Sequence, residues 1–346
     1  MNSKILIRVD ANAEIGLGHF YRCISLAQML DNSFSIIFAM SDPNQELTEI
    51  IKKRGYQLIK LPKLNYRKPD DIGDEEWQFD LVGVIDDVDI VVLDGYWFRS
   101  KYQTTLRNYN VKSVIIEDEG KGQYLADLII NHAPSLDSLD YTTDSSKTMF
   151  ALGPEYALLR SGFLSIAKEF RRSLDSINSA FVCFGGADHE NLSYHYIKYL
   201  LNHTQLKIHL IVSRTNSCWE KCQKMMKKNS DRLVVSTNLS TDDMILAMKK
   251  ADFGIVPSSG ILLECIACRL PVISGYYTDN QKSIYNGFLN SDVFINGNHL
   301  TKDTIFSQVS HSGFLNQLKL CVENQKMIID GLSNYRLLRC FKKLVN

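Results

Sequence analysis

The sequence predicts an α/β fold with two Rossmann-like, parallel-sheet domains. Short apolar runs of strand length alternate with helical patterns, which is typical of parallel α/β proteins. A strand that runs into a glycine-containing loop and then a helix opens the chain, and similar units recur in the second half. The length of 346 residues also suits about two domains, because one domain usually holds about 100–200 residues.

The first half begins with a strand and continues as an alternation of strands and helices. Apolar runs bounded by turns predict strands, and apolar residues at helical spacing predict helices. The predicted strands are 4–9, 34–40, 56–61, 90–94, 113–117 and 127–131, and the predicted helices are 19–30, 46–54 and 100–108. The polar stretches 63–80 and 135–147 are predicted to be connections.

The second half repeats this pattern after a join that we place in residues 160–177. Its predicted strands are 180–184, 207–212, 233–236, 253–256 and 271–274, and its predicted helices are 191–201, 219–228, 242–249 and 260–268. The chain is predicted to end in a helix. The predicted domains are residues 1–165 and 175–325, followed by a carboxyl-terminal helical segment, 326–346.

The charge balance limits the range of partners. Lys and Arg together number 39, Asp and Glu together number 39, and the formal net charge is zero. Proteins that bind nucleic acids or anionic membranes usually carry a basic excess, so we expect neither partner. No obligate protein partner is evident, and the expected ligand is a small molecule.

The expected compartment is the cytoplasm. No apolar run approaches the ~18 residues of a membrane helix, and the amino terminus lacks the apolar core of a signal peptide. The chain has eight cysteines, and Cys23, Cys183 and Cys265 are among those that lie inside predicted apolar elements. This setting favours free thiols over disulfides.

The first candidate site is the loop between the first strand and its helix. Gly16 and Gly18 would allow a ligand to approach the backbone closely, and His19 would stand at the start of the helix. Ligands of parallel α/β sheets bind beyond the carboxyl ends of strands, where such loops and helix starts converge. The plainer alternatives are a tight turn for the glycines and a helix cap or surface position for His19.

Two loops of the second half favour nucleotide binding. Gly185 and Gly186 follow its first strand and offer backbone N–H groups to a phosphate. Ser259 and Gly260 precede a helix whose dipole favours a diphosphate, and Glu264 lies one turn further on, where it could accept hydrogen bonds from a ribose. Either loop alone could be an ordinary strand-to-helix turn, but two equivalent loops in one half indicate a nucleotide site.

Other patterns carry no predicted chemistry. Cys265 and Cys268 lie in an apolar helix without a second Cys or His pair at metal spacing, so we predict buried thiols. Asp87 and Asp89 lie in a polar lead-in to a strand, where two acids are common by chance. We predict no metal and no cofactor.

Several motifs, in order along the chain, resemble one family. The chain is similar to the UDP-2,4-diacetamido-2,4,6-trideoxy-β-L-altropyranose hydrolases of pseudaminic acid biosynthesis, which look like relatives of the GT-B glycosyltransferases. The matching segments are 8–10, 15–27, 93–96, 152–160 and 184–191, together with Glu264, Pro271, Asn280 and Gln281. The resemblance implies a GT-B-like fold, with UDP-sugar in the inter-domain cleft and the last helix packed back on the first domain.

The resemblance also implies residue roles. His19 would be the catalytic base, Glu264 would contact the ribose of UDP, and the loops Gly185-Gly186 and Ser259-Gly260 would contact the diphosphate. The residues expected to bind the substrate are Asp10, Gly16, Gly18, Arg22, Tyr96, Asn280 and Gln281. Two departures from the family pattern are a Ser258–Ile261 loop in place of a Gly-Gly-Ser-Thr-like loop, and acids at Glu117 and Asp118 that continue into Glu119.

The implied activity is metal-independent hydrolysis of a UDP-2,4-diacetamido-2,4,6-trideoxyhexose in the L-altrose form. It would yield UDP and free sugar by inverting cleavage of the anomeric C–O bond, in pseudaminic acid-type nonulosonate biosynthesis. A neutral imidazole suits activation of water near neutral pH, and helix amino termini would stabilise the departing diphosphate.

Two other functions use the same pocket. A GT-B glycosyltransferase would pass the sugar to an acceptor, and a non-catalytic protein would only bind the sugar nucleotide. The first half shows no apolar and basic patch of the kind that a membrane acceptor requires, and an intact His19 argues against loss of catalysis.

Overall fold

The computed structural model describes residues 3–12, 15–63, 79–134, 140–143, 146–169, 172–185, 188–301, 309 and 312–345. Its contacts divide the chain into two compact units. The first unit comprises Met1–Arg160 together with Ser333–Asn346, and the second comprises Ser161–Leu332. The first unit is therefore discontinuous in sequence.

The first unit is built on a parallel sheet. The strands described in it are β1 (Lys4–Val9), β2 (Ser35–Ser41), β3 (Gln57–Leu61), β4 (Ile90–Asp94), β5 (Lys112–Ile116), β6 (Lys121–Tyr124), β7 (Leu128–Asn131), β8 (Asp140–Thr143) and β9 (Met149–Leu152). Seven of them form one sheet in the order β3-β2-β1-β4-β5-β7-β9, and β6 pairs with β8 separately. The chain reverses its direction of travel across the sheet between β1 and β4, where the loops that follow these two strands diverge.

Helices cover both faces of this sheet. The helices described in the first unit are α1 (Gly18–Leu30), α2 (Gln45–Lys53), α3 (Ser100–Arg107) and the last helix of the chain, α11 (Ser333–Val345). Side chains alternate along a strand, so Ile5 and Ile7 pack on one face of the sheet and Leu6 on the other. The helix α11 buries Leu337 and Phe341 in the cluster that also contains α1.

The second unit contains a six-stranded parallel sheet in its described part. Its strands are β10 (Ser179–Cys183), β11 (Lys207–Ile211), β12 (Leu233–Ser236), β13 (Phe253–Pro257), β14 (Val272–Tyr276) and β15 (Ile295–His299), in the order β12-β11-β10-β13-β14-β15. Its helices are α4 (Ser161–Glu169), α5 (Leu192–His203), α6 (Trp219–Lys228), α7 (Thr241–Lys250), α8 (Gly260–Ala267), α9 (Lys282–Phe288) and α10 (Phe314–Gln325). The order reverses between β10 and β13, which is the Rossmann pattern.

Arg269 joins three helices of the second unit through their backbone carbonyl groups. It is 2% exposed and adopts a left-handed backbone with φ of 54°. Its guanidinium donates to the carbonyls of Ala167, Ile266, Gln325 and Ile329 at 2.8–2.9 Å. Because Ala167, Ile266 and Gln325 lie at the carboxyl ends of α4, α8 and α10, three negative helix-dipole ends face this cation.

The two-sheet α/β architecture predicted from the sequence is confirmed, and the differences are local. Residues 161–169, which the sequence leaves in the join, form α4 and pack on α7 and α8. Strands β6, β8, β9 and β15 were not predicted. The sequence of β15, Ile-Asn-Gly-Asn-His, is a poor strand former. Gly297 allows β15 to pack closely against β14, because a Cβ atom at this position would lie only 3.0 Å from the Ser274 carbonyl oxygen.

Three other predictions can be compared with the structure. All eight cysteines are free thiols, as the sequence predicts. Among the described residues, no helix is both long enough and apolar enough to cross a membrane. Most of the connection predicted at 63–80 lies outside the described residues, and so does much of the stretch 135–147.

Candidate active site

The candidate site of the first unit lies where β1 and β4 end, at the reversal point of the sheet. His19 is the second residue of α1, which follows β1, and Asp94 is the last residue of β4. Adjacent strands carry these two side chains to the same edge, although 75 positions separate them in sequence. The Nδ1 atom of His19 lies 2.6 Å from Oδ1 of Asp94.

The ionised Asp94 favours one tautomer of His19. Burial of the fully enclosed Asp94 would raise its pKa, but Arg22 and then His19 outweigh that effect and hold the pKa far below its usual range. An ionised carboxylate can only accept hydrogen bonds, so the 2.6 Å contact is a hydrogen bond when Nδ1 of His19 carries the hydrogen. Nη2 of Arg22, which is also a donor, lies 2.9 Å from the same nitrogen. In the tautomer with the hydrogen on Nδ1, the other ring nitrogen, Nε2, keeps its lone pair and can act as a base.

Arg22 holds two carboxylates beside His19. Its Nε and Nη2 atoms donate to the two oxygens of Asp94 at 2.7 and 2.6 Å, and Nη1 donates to Asp118 at 2.8 Å. Burial would raise the pKa of Asp118, but the charge of Arg22, followed by that of His19, lowers it below its usual value. Since all three nitrogens of Arg22 face carboxylates, its contacts support a positioning role rather than direct substrate binding.

Aromatic and imidazole rings surround this cluster. The Tyr96 ring meets the His19 ring edge-on, with centroids 5.0 Å apart, and Trp97 lies 6.2 Å away. Gly95 makes this packing possible, because a Cβ atom there would lie 2.5 Å from the Trp97 ring. A second histidine, His132, is buried nearby; burial first and repulsion by Arg22 second lower its pKa to about 4, so it stays neutral near pH 7.

The glycine loop leaves space beside His19. Gly16 has φ of 83°, a left-handed conformation that favours glycine, and its N–H donates to the Asn12 carbonyl at 2.9 Å. Gly18 begins α1 and is exposed, and a Cβ atom built on either glycine meets nothing within 4 Å. The backbone is thus open to a ligand at both positions.

Asp10 is not part of the His19 cluster. Its Oδ2 pairs with Nη1 of Arg8 at 2.6 Å, and its Oδ1 accepts from the backbone N–H of Ser41 at 2.6 Å. Arg8 also pairs with Asp80 at 2.8 Å and is fully buried, whereas Asp10 is 1% exposed. Asp10 was expected to bind substrate, but both of its oxygens are engaged in the interior, where their contacts support neutralisation of Arg8.

The candidate nucleotide site lies at the corresponding edge of the second sheet. Gly185 follows β10 with φ of 77°, and Ser259 and Gly260 follow the neighbouring strand β13. Cβ atoms built on Gly185 and Gly260 meet nothing within 4 Å. Gly186, the fourth residue expected to contact the diphosphate, lies outside the described residues.

The two helices beside these loops have different amino ends. Asp188 is 1% exposed, and its carboxylate accepts from the backbone N–H groups of Leu192 and Ser193 at 2.7 and 2.8 Å. The start of α5 therefore already holds an internal anion. At the start of α8, the Ser259 side chain makes no capping hydrogen bond, so the first N–H groups of α8 are the better position for a phosphate.

The remaining predicted contacts have different surroundings. Glu264 is half-buried one turn into α8. Gln281 is buried, and its Oε1 accepts from the backbone N–H of Tyr277 at 2.9 Å, while the Tyr277 hydroxyl donates to the Phe184 carbonyl next to Gly185. Asn280 is exposed and accepts from the Thr278 hydroxyl. Gln281 thus holds Tyr277, which in turn bonds Phe184, the residue before Gly185. Of the two amide side chains, that of Asn280 is the more accessible.

Sequence reasoning missed the partners of His19 and the internal anion of α5. Asp94 ends the buried strand β4, Asp118 lies two residues after β5, and Asp188 precedes a helix; an acid at or near the end of an apolar strand was the available signal. That signal does not reveal which histidine or arginine the acid faces, because strand order decides it. His132 likewise gave no spacing pattern.

Two sequence relatives extend over most of the chain. An uncharacterised protein of Methanocaldococcus jannaschii is 24% identical over 323 residues, which cover 89% of this chain and 63% of that relative. The UDP-2,4-diacetamido-2,4,6-trideoxy-beta-L-altropyranose hydrolase of Campylobacter jejuni is 28% identical over 287 residues, which cover 81% of this chain and 94% of the relative. No protein-family model matches the chain.

Solved structures with the same architecture define the fold class as GT-B-like. MnaA of S. aureus in a co-structure with UDP superposes with a TM-score of 0.66 at 12% identity, covering 99% of this chain and 97% of the other. A UDP-glucosyltransferase of Polygonum tinctorium superposes with a TM-score of 0.65 at 12% identity, covering 99% of this chain and 98% of the other. MurG of Acinetobacter baumannii superposes with a TM-score of 0.63 at 11% identity, covering 98% of this chain and 99% of the other. The chain is thus similar to enzymes that process UDP-sugars.

Proposed function

We propose that the chain hydrolyses a UDP-2,4-diacetamido-2,4,6-trideoxyhexose, in the L-altrose form, to UDP and the free sugar. The observation that carries the proposal is the 2.6 Å contact between His19 and Asp94, which leaves Nε2 of His19 as a base at the loop expected to meet the substrate. The similarity to the Campylobacter jejuni hydrolase supports the substrate. The proposal places the reaction in pseudaminic acid-type nonulosonate biosynthesis.

The proposed reaction is a direct displacement at the anomeric carbon. Nε2 of His19 removes a proton from water, and the water oxygen forms a bond to the anomeric carbon on the face opposite UDP. The bond between that carbon and the phosphate oxygen breaks, and its electron pair leaves with UDP. The configuration inverts, and the proton on Nε2 passes to solvent after the sugar departs. Positioning of the water supplies much of the rate gain.

The charges around His19 suit this proton transfer. Arg22 contributes one positive charge and Asp94 and Asp118 one negative charge each, so the cluster with neutral His19 carries one net negative charge. Uptake of a proton by His19 brings that sum to zero. The buried carboxylates therefore stabilise the imidazolium that forms in the transition state, and Asp94 keeps the ring oriented throughout.

The second unit is proposed to hold UDP. The open amino end of α8 would face the diphosphate through the backbone at Ser259 and Gly260, and Gly185 would allow close approach from β10. Glu264 would accept hydrogen bonds from the ribose hydroxyls, and Asn280 would contact the sugar. Developing negative charge on the departing diphosphate would be stabilised by the helix dipole, so the reaction as proposed needs no metal.

The free cysteines support the proposed compartment. Seven of the eight are buried and one is partly buried, and none forms a disulfide. A chain that keeps eight thiols reduced suits the cytoplasm, where thiols persist.

A second candidate function is transfer of the sugar to an acceptor. Leu17 and Tyr21 flank His19 on the first turn of α1 and are 36% and 38% exposed. Exposed apolar side chains beside a catalytic base could contact an apolar acceptor in place of water. The similarity in fold to glycosyltransferases makes this alternative concrete.

The test separates the two functions by the origin of the new oxygen. Purified protein is incubated with the UDP-sugar in ¹⁸O-water without an acceptor, and the products are analysed by mass spectrometry. We expect ¹⁸O at the anomeric oxygen of the released sugar and none in the UDP phosphates. Turnover that occurs only when an acceptor is added would overturn the hydrolase proposal in favour of a transferase.

A further inference from the structure

A separate cavity opens beside the His19 cluster within the first unit. It has a volume of about 160 Å³ and lies between the start of α3, the end of β5 and β6. Arg22 and Tyr96, which belong to the cluster, also line the cavity. A cavity of about 150 Å³ can hold a benzene molecule, so this one has room for a group of several heavy atoms.

The buried part of the cavity lining is mainly apolar. Phe98, Ile115, Ile116 and Tyr124 line it and are 3–8% exposed. The buried polar members of the lining are Glu117 and Gln103, and the Gln103 amide is bonded to the backbone at Phe98 and Leu125. The lining residues that reach solvent, including Arg99, Ser100 and Glu119, are polar. This distribution favours a group with an apolar end that goes inward and a polar end that stays near the mouth.

The arginines of the lining already pair with carboxylates. Arg22 donates to Asp94 and Asp118, and Arg99 pairs with Glu119 at 3.3 Å. Glu117 is buried and accepts from the backbone N–H groups of Glu119 and Gly120 at 2.8 and 2.9 Å. The lining and its immediate partners hold two arginines and four carboxylates, so they have no positive excess to attract a phosphate, and a neutral group fits the cavity better.

We propose that this cavity is the subsite for an N-acyl group of the sugar. The inference rests on the proposed function and adds a binding site to it. The methyl end of the acyl group packs on the apolar lining, and the amide stays near Tyr96 and the polar mouth. Burial of one methylene favours binding about fourfold, so the cavity should select acylated over unacylated sugars and should tolerate a somewhat longer acyl chain.

Ser100 and Lys101 offer a matched pair of variants. Ser100 is the first residue of α3 and lines the cavity, whereas Lys101 is its exposed neighbour and does not. Ser100→Leu introduces bulk at the mouth, and Lys101→Leu places the same apolar side chain one residue further along the helix, outside the lining. Both variants keep the backbone groups of the helix.

The probe is UDP-N-trifluoroacetylglucosamine, whose fluorine atoms report on the acyl group by ¹⁹F NMR. We expect the fluorine signal to shift and broaden with the original chain and with Lys101→Leu, and the affinity to fall about tenfold in Ser100→Leu. Affinity for UDP alone, measured by calorimetry, should be equal in all three proteins. In steady-state assays, replacement of N-acetyl by N-propionyl in the substrate should leave KM within about fourfold for the original chain and raise it in Ser100→Leu.

The outcomes separate this inference from the proposed function. Normal UDP binding with a sharp, unshifted fluorine signal, or with equal probe affinity in the two variants, overturns the acyl subsite and leaves the nucleotide proposal standing. Failure of the original chain to bind UDP overturns the proposed function, and with it the subsite that depends on that function.

Discussion

At the scale of single residues, the sequence predicted His19 as a candidate base but not the side chains that surround it. A histidine after a Gly-x-Gly loop at the carboxyl edge of a parallel sheet was recognisable as a candidate. Its partner Asp94 lies 75 positions away, and only the pairing of β1 with β4 brings the two together. Conversely, Asp10 lies within the recognised motif, yet its side chain turns to Arg8. Motifs locate a loop, whereas strand order decides which side chains meet.

Replacing either member of the His19–Asp94 pair should abolish catalysis and preserve UDP binding. We expect His19→Asn to lower kcat by about 10²–10⁴-fold, because water loses its base. Asp94→Asn should lower kcat to a similar or greater extent, because the amide no longer fixes the Nδ1–H tautomer. Turnover assays together with calorimetry of UDP binding check both statements. Unchanged kcat in His19→Asn would remove it from the mechanism.

His132 should make the fold sensitive to mild acid. Its folded-state pKa is about 4, below the ordinary value near 6.5, so between these pH values only the unfolded chain binds the proton. Stability is therefore complete above about pH 6.5 and falls as the pH decreases towards 4, by about 3 kcal/mol at the limit.

The variant His132→Gln isolates this contribution. Urea unfolding is measured at several pH values for the original chain and for the variant. Between pH 6.5 and 4, the decrease in the free energy of unfolding should be smaller in the variant by about 1 kcal/mol per pH unit. Parallel curves for the two proteins would contradict the burial of a neutral His132.

Glu264 should act on the ribose of the nucleotide. We expect Glu264→Ala to weaken UDP binding about tenfold or more, because hydrogen bonds from the ribose diol to a carboxylate are lost. Calorimetry with UDP and with 2′,3′-dideoxy-UDP provides the control. The dideoxy compound should bind the original chain and the variant equally, and an equal loss with both ligands would place Glu264 elsewhere.

At the scale of secondary-structure elements, most strands and helices could be predicted from the sequence. The contacts made at the ends of these elements could not. Apolar strands such as β4 and β13 are continuous runs that the sequence shows directly. The short strands β6 and β8 are polar and depend on pairing with each other. The two glycine loops of the second half looked equivalent in sequence. In the structure, Asp188 caps the start of α5, whereas no side-chain capping hydrogen bond is made by Ser259 at the start of α8.

Asp188 should stabilise α5 and keep anions away from it. We expect Asp188→Ala to lower the free energy of unfolding by about 1–2 kcal/mol, since a buried acceptor of two backbone N–H groups is removed. The exposed Glu190→Ala serves as the control and should change stability by less than about 0.5 kcal/mol. Urea unfolding measures both. Equal stability of the two variants would contradict a capping role for Asp188.

At the scale of the whole molecule, the last helix belongs to the unit that the first residues begin. Phe341 is fully buried and meets Phe34 with ring centroids 6.3 Å apart, in the core shared with α1. The amphipathic pattern of α11 predicted a helix, but its place in the first unit rested on resemblance, because local sequence does not say which core an amphipathic face joins.

Phe341→Ala should therefore destabilise the first unit selectively. We expect a loss of about 3–5 kcal/mol from the cavity that it leaves, whereas Tyr335→Ala, at a side chain that is 61% exposed, should be nearly neutral. Hydrogen exchange followed by mass spectrometry resolves the two units. Peptides from residues 4–131 should lose protection in Phe341→Ala and those from 179–299 should keep it; a uniform loss would argue against selective destabilisation.

The discontinuity of the first unit also sets an order of events during synthesis. The residues of the second unit, 161–332, are contiguous and can complete their core as soon as they have been translated. The first unit begins earlier but finishes later, because Leu337, Phe341 and Leu344 are translated after the whole second unit. Until α11 has been translated, the apolar side chains of α1 that pack against it remain exposed. Nascent chains stalled before residue 333 should therefore be substrates for chaperones.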